Sequence, residues 1–291
     1  MQLSRMDLDE GGDDPRRIAE AILAQCPETP IPVPVEAIAY ALDIQEIRVE
    51  SLKSFEDALI TTGPEKGEGS IVVNAENGLR RRRYTVGHEL GHFLHPSHIP
   101  HTGKFQCTLD DMSRNSSDGT DKRARQEVQA NAFATELLLP RQTFLHDLQR
   151  KGGLDLAHII ELGNDYDLSK EAVVRRCVSL QKDPCAVVFS RNGRGRYFCK
   201  HDDFPWLDIR PGNPMPRQSI AARGNGVVGQ SSDWAEIDGG VWLSQARQCG
   251  VVEQTLLQQG GYRMTLLALD DEDGNHEEED ALMEIWTPRF R

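Results

Sequence analysis

The 291-residue sequence predicts an α+β protein: a small mixed sheet with helices, then a helical stretch, then a smaller C-terminal part rich in strands. Three observations carry this. IQEIRVE at 44–50, FEDALITT at 55–62 and SIVVN at 70–74 read as short strands bounded by turn residues. GLRRRRYTVGHELGHFLH and DKRARQEVQANAFATELLL follow as two long helical patterns, stopped by Pro96 and Pro140. From 183 onward the pattern returns to strands, starting with CAVVFS and RYFCK around an Asn192-Gly193 turn. The expected division is 1–145, a helical and helix-turn-helix-like 146–182, and a β-rich 183–291 with a regulatory or docking role.

The elements follow in order. PRRIAEAILAQ at 15–25 has helical periodicity with Pro15 in the first turn, where its missing N–H costs nothing. VEAIAYAL at 35–42 reads as a second helix, and GPEKGEG between the second and third strands as a hairpin loop. Residues 96–121 are rich in His, Pro, Ser, Asn, Asp and Gly and read as one long loop. Residues 141–182 hold two or three short amphipathic helices, the last opened by Ser169. It reads as a helix-turn-helix-like unit or, equally, as a helical hairpin packed on the core. Later strands are expected at VWL 241–243, GYRMTLLAL 261–269 and ALMEIW 281–286, with a turn at the Gly260–Gly261 pair.

Composition narrows the function classes. A net charge of −13 argues against a protein that coats nucleic acid or anionic membrane with its whole surface. No apolar run approaches the roughly 18–20 residues of a membrane span. The N-terminus is acidic and lacks the apolar core of a signal peptide. The six cysteines have no CxxC spacing, which fits neither a disulfide framework nor a cysteine zinc site. A cytoplasmic setting follows as the expectation.

Residues 88–98, HELGHFLHPSH, carry the chemistry. HExxH on a helix places His88 and His92 one turn apart on one face, so both imidazoles can hold one zinc ion. Glu89 lies beside that face and can take a proton from the attacking water and hand it to a leaving nitrogen. Gly87 and Gly91 suit a helix that something approaches closely. A catalytic zinc needs a third protein ligand and an open fourth position. One candidate is His98, ten residues after His88, at the spacing of the HExxHxxGxxH signature. Another is Glu127 in the second long helix, where Ala130, Ala132 and Ala134 would let the two helices lie close. Glu136 is a weaker candidate and otherwise reads as a solvated helix charge. His95 reads as a residue of the helix end, His98 and His101 otherwise as members of a loop, and Tyr84 as packing on the His88 face.

RRRYTVGHELGHFLH followed by EVQANAFATELLLP, with IVVN ahead of the arginine run, resembles the ImmA/IrrE family of bacterial and phage regulatory metallopeptidases. The resemblance covers about 30–145. It implies a zincin-like domain, zinc held by His88, His92 and Glu127, and Glu89 as the catalytic glutamate. It also implies a cytoplasmic endopeptidase that cleaves a helix-turn-helix repressor of the XRE type, or an antitoxin, and so derepresses stress or mobile-element genes. Some members carry a GAF-like sensor domain where this chain has 183–291. One zinc per chain is expected, with Mn2+ among the other divalent ions such a site accepts. The substrate is expected to lie extended against strand 55–62 or 70–74 by β-augmentation. Three rivals stand beside this. One is a DNA- or protein-binding regulator with a vestigial metal site, suggested by the arginines of 175–223. The others are a toxin–antitoxin peptidase and an inert domain with a structural zinc.

Overall fold

The computed structural model describes residues 3–5, 12–26, 28, 30–52, 57–63, 65–99, 104–107, 121–223, 226–244 and 250–270, with the main chain alone at 104–107 and 270. The chain divides into two compact units, Met1–Phe144 with Asn164–Ser169, and Leu145–Gly163 with Lys170–Arg291. The stretch 146–182 is therefore divided between them and does not form a body of its own.

In the first unit, helix α1 (Pro15–Ala24) starts where the Asp14 carboxylate accepts from the Arg16 N–H at 2.9 Å, satisfying a first-turn donor. Its buried Ile18, Ala19 and Ile22 form one face. Helix α2 (Val35–Ala41) leads into strands β1 (Ile44–Glu50), β2 (Asp57–Thr61) and β3 (Gly69–Asn74). A fourth strand, β4 (Lys104–Cys107), lies inside the stretch expected to be a loop. It is only four residues long, and it becomes a strand through its antiparallel register on β2, Ile60 opposite Lys104 and Asp57 opposite Cys107. The sheet order is β1-β3-β2-β4, with β1 parallel to β3 and the other pairs antiparallel.

This order corrects the expected docking strand. β2 lies between β3 and β4, and β3 between β1 and β2, so the main-chain groups of both are used within the sheet. Among the described residues the edges of this sheet are β1 and β4, and a strand added to it would pair with one of these.

Helix α3 (Leu79–Leu94) lies on β2 and β3 and against helix α4 (Lys122–Leu138). Leu90 and Phe93 of α3 and Phe133 and Leu137 of α4 are buried, each contributing about 1.5–3 kcal/mol relative to exposure. The two α3 glycines mark the closest approach. A Cβ on Gly91 would stand 3.0 Å from Phe133 Cδ1, and one on Gly87 3.2 Å from Leu138 Cδ1. At Gly91 a side chain would meet the anchored Phe133 and hold the helices apart, whereas at Gly87 it would meet the free end of Leu138.

Helices α5 (Arg141–Lys151), α6 (Leu156–Asp165) and α7 (Lys170–Leu180) follow. In the second unit a five-stranded antiparallel sheet has order β6-β5-β9-β8-β7, from β5 (Cys185–Arg191), β6 (Arg194–Lys200), β7 (Ala235–Asp238), β8 (Gly250–Leu257) and β9 (Tyr262–Asp270). Asn192 and Gly193 join β5 to β6 with φ of 51° and 72°, the left-handed pair a two-residue hairpin turn requires. Helix α7 packs on β5 and β6 and buries Val173, Val174, Cys177, Val178 and Leu180. Within α7 Ser179 is exposed, and Lys170, Glu171, Ala172 and Arg175 are half-buried.

On the other face of the sheet, a core of Ala186, Val188, Trp242, Val251 and Leu267 is covered by the excursion from 201 to 244, which includes the short helix α8 (Ile220–Arg223). VWL at 241–243 is not a strand. Asp238 accepts from the Gly240 N–H, a 3-10 turn follows, and Trp242 turns into the core. The strand expected at 281–286 lies outside the described residues.

Candidate metal centre

α3 and α4 bring His88, His92 and Glu127 together, each with its side chain buried. His88 Nε2 lies 3.2 Å from His92 Nε2 and 3.2 Å from Glu127 Oε2, and His92 Nε2 lies 3.4 Å from Glu127 Oε2. Three donors bound tetrahedrally at about 2.0–2.1 Å stand about 3.3–3.4 Å apart, so this triangle has the edge lengths of one face of a zinc coordination sphere. Two imidazole nitrogens and one carboxylate also form the donor set of a hydrolytic site that keeps a fourth position open. The residues present fit a divalent cation.

The electrostatics match. Burial disfavours charge on all three residues, yet the cluster retains an ion pair. Burial works against protonation of His88, but the hydrogen bond and charge of Glu127 outweigh it and raise the His88 pKa. Burial and then the neighbouring His88 charge bring His92 down to about 4 despite its own bond to Glu127. Burial would lift Glu127, but its bonds to the two histidines hold it well below the usual carboxylate range. The carboxylate thus stays ionised and attracts a single positive charge, which a cation can supply in place of the proton.

The surrounding residues hold this arrangement. The His88 Nδ1–H donates to Asn131 Oδ1 at 3.0 Å, which turns Nε2 toward the triangle, where a cation can take the place of its proton. Asn131 is one turn beyond Glu127 on α4. The Tyr84 hydroxyl donates to the Asn131 carbonyl at 3.3 Å and lies 3.1 Å from Thr135 Oγ1, so Tyr84 is a strut between α3 and α4. Glu89 is fully buried beside His88.

His98 does not join the triangle. Its Nδ1 lies 3.1 Å from His92 Nδ1, on the side of the His92 ring turned away from His88 and Glu127. Glu136 is neither a ligand nor a solvated charge. It is buried and accepts from the Arg141 N–H at 3.0 Å, at the start of α5. His95 ends α3 with an extended backbone, and its Nε2–H donates to the Asp13 carbonyl at 3.0 Å.

Lys66, from the β2–β3 loop, has no forewarning in the sequence. Its Nζ donates to the carbonyls of His92 at 2.9 Å and His95 at 2.6 Å, at the end of the helix that carries both histidines. These are carbonyls that the end of a helix leaves without a helical partner. Burial and then the nearby Arg5 charge push Lys66 down to about 7. Arg5 in turn donates to the Lys66 and Gly67 carbonyls and lies over the Phe93 ring at 4.7 Å. The contacts of Lys66 span 26 and 29 residues, and no local pattern announces them.

Residues 45–178 match the family model of the IrrE N-terminal-like domain, Peptidase_M78. The match covers a little under half of the chain, and it is a likeness of this segment to the IrrE N-terminal-like domain. The match spans β1 to α7 and so takes in all three residues of the triangle and Glu89. Among solved structures, a Mycobacterium tuberculosis transcriptional regulator is similar over 81% of this chain and 79% of its own, with a TM-score of 0.51 and 14% sequence identity. At that identity the likeness concerns the fold alone. No curated protein matches the chain.

Proposed function

We propose that the protein is a zinc-dependent regulatory endopeptidase that cuts an XRE-type helix-turn-helix repressor or an antitoxin, and so derepresses stress or mobile-element genes in the cytoplasm. What supports the reading is the buried His88–His92–Glu127 triangle at tetrahedral spacing inside a segment that matches the IrrE N-terminal-like domain, with Glu89 next to it.

In this reading His88, His92 and Glu127 hold the cation. A bound zinc, with manganese as the other candidate, supplies Lewis acidity at the scissile carbonyl and lets water lose a proton near neutral pH. Glu89 takes that proton on its carboxylate and returns it to the leaving amide nitrogen. Asn131 keeps the His88 ring in the ligating tautomer. The substrate segment pairs with the β4 edge by main-chain hydrogen bonds, which read an extended shape more than a sequence. The narrow choice of substrate then comes from docking.

The test is to incubate the metal-loaded protein with the repressor encoded beside its gene. Two discrete fragments are expected, and they disappear with chelator. Glu89→Gln retains the metal and lowers cleavage by about 10²–10⁴-fold, the scale of a positioned proton carrier. Full cleavage by a metal-loaded Glu89→Gln protein refutes the role given to Glu89. The competing reading is a DNA- or protein-binding regulator with a vestigial site, and its support is that the structural neighbour is a transcriptional regulator. It predicts salt-dependent duplex binding and no fragments.

A further inference from the structure

His92 has a neighbour that the triangle does not use. Its Nδ1 lies 3.1 Å from His98 Nδ1, and His98 Nε2 lies 3.0 Å from Gln129 Oε1. Between two ring nitrogens there is room for one proton, so the two histidines share a single choice of direction. If Gln129 presents its carbonyl oxygen, His98 Nε2–H donates to it. His98 Nδ1 is then a lone pair that accepts from His92 Nδ1–H, and His92 Nε2 faces His88 and Glu127 bare. If Gln129 presented its NH2 group, every bond would reverse, and His92 Nε2 would carry a hydrogen into the triangle. Only the first setting lets His92 bind a cation, and Gln129 stands with its Oε1 toward His98 Nε2, as that setting requires.

The parts of this chain of bonds are held from outside. The His98 side chain is buried, and its ring stacks on His95 with centroids 4.1 Å apart and planes 15° apart. His95 is itself fixed by the Asp13 carbonyl and by Ser97. Gln129 sits on α4 with Glu127 and Asn131. One helix therefore carries a ligand, the acceptor that sets the first histidine, and the group that sets the second histidine through an intervening ring.

We propose that His98 and Gln129 are positioning residues of the metal centre, holding His92 as the Nδ1–H tautomer whose Nε2 binds the cation. The inference rests on the metal-binding reading given above. Where most metal-ligating histidines donate to a carboxylate, a carbonyl or water, here a second histidine is the acceptor, and its acceptor character is set one bond further out.

Three variants test it: His98→Leu, which removes the acceptor; His98→Asn, whose Oδ1 sits near the place of the ring Nδ1; and Gln129→Met. Two quantities are read in each. The first is zinc affinity, by competition with a chromogenic chelator. The second is the His92 tautomer in the metal-free protein, from 15N–1H correlation of the ring nitrogens. The expected result is a wild type with His92 as Nδ1–H. His98→Leu and Gln129→Met both bind zinc about 10–100-fold more weakly, with His92 shifted toward Nε2–H. His98→Asn returns both quantities to near wild type. Wild-type affinity and tautomer in His98→Leu overturn the proposal. So does equal weakening in His98→Leu and His98→Asn with an unchanged tautomer, which marks His98 as mere filling. Gln129→Met, at a half-exposed helix position, gives the answer if His98→Leu does not fold. A wild type that shows the tautomer but takes up no zinc sinks the metal-binding reading and with it the positioning role, while the order of bonds from Gln129 to His92 is upheld.

Discussion

Replacing Gly91 by alanine sets two known effects against each other. In an isolated helix the change is favourable by about 0.8–1.0 kcal/mol, because alanine loses less conformational freedom. In this protein the new Cβ would stand 3.0 Å from Phe133 Cδ1 and 3.2 Å from both Phe133 Cβ and Cγ. Relaxed carbon–carbon contacts lie at about 3.5–4.0 Å, so the shortfall is about 0.3–1.0 Å over three atoms. Phe133 Cβ is anchored to the α4 backbone and its ring is buried, so relief means displacing α4 from α3. Overpacking of this kind costs about 1–3 kcal/mol. The net expectation is a loss of about 0–2 kcal/mol. Gly87→Ala meets the free end of Leu138 at 3.2 Å, a methyl group that can turn aside, and is expected near neutral. Since α4 also carries Glu127, Gly91→Ala should weaken zinc binding where Gly87→Ala does so less. Urea unfolding and chelator competition on both variants check the order. A Gly91→Ala protein more stable than the wild type would falsify the close-approach argument and leave helix propensity as the whole explanation.

Lys66→Met removes the donor to two buried carbonyls at the end of α3, at about 1–3 kcal/mol each. Lys66 has a folded pKa of about 7, below that of a free lysine, so the unfolded chain binds more protons above pH 7 and the wild type gains stability from there to about pH 10. Urea midpoints at pH 7 and 9 should rise for the wild type and stay level for the variant; parallel behaviour counts against the role of Lys66. Chelation should lower the melting temperature, since a cation at 100 times its dissociation constant adds about 2.7 kcal/mol. That increment should shrink on acidification from above pH 6.5, because His88 has a raised pKa and takes a proton in place of the metal; scanning with and without chelator at pH 8 and 6 measures it. In the second unit, Glu253 accepts from the Ala221 N–H at 2.9 Å and from the Trp242 Nε1–H at 3.1 Å. Burial, against those bonds, raises its pKa, so the folded state binds more protons and stability falls as pH rises from about 4.5 through the folded value. Glu253→Gln abolishes that slope and sets an amide NH2 against one of the donors, costing about 1–3 kcal/mol; Trp242 fluorescence during unfolding at pH 5 and 8 reads both.

The parts of the fold legible in the sequence are those with local causes. The α3 pattern, the strands at 44–50 and 70–74, Pro15 in the first turn of α1 and the Asn192-Gly193 hairpin each announce themselves within a few residues. β4 is hidden, because a four-residue strand in a polar stretch becomes one only through its partner β2. β8 escapes for another reason: GVVEQTLL is buried along nearly its whole length, Glu253, Gln254 and Thr255 included, so it shows no alternation. VWL at 241–243 resembles a strand because Trp242 is apolar, whereas the Asp238 cap bends the chain there.

Chain order is enough to put His88 and His92 on one helical face with Glu89 beside them, because helix periodicity is a property of neighbours along the chain. It does not choose between Glu127 and His98 as the third corner of the triangle. That choice depends on two glycines letting α4 press against α3, and so on how the helices pack. Packing also places Lys66 under the end of α3 and His98 between His92 and Gln129. These are bonds between residues that only folding makes adjacent, and no local pattern encodes them.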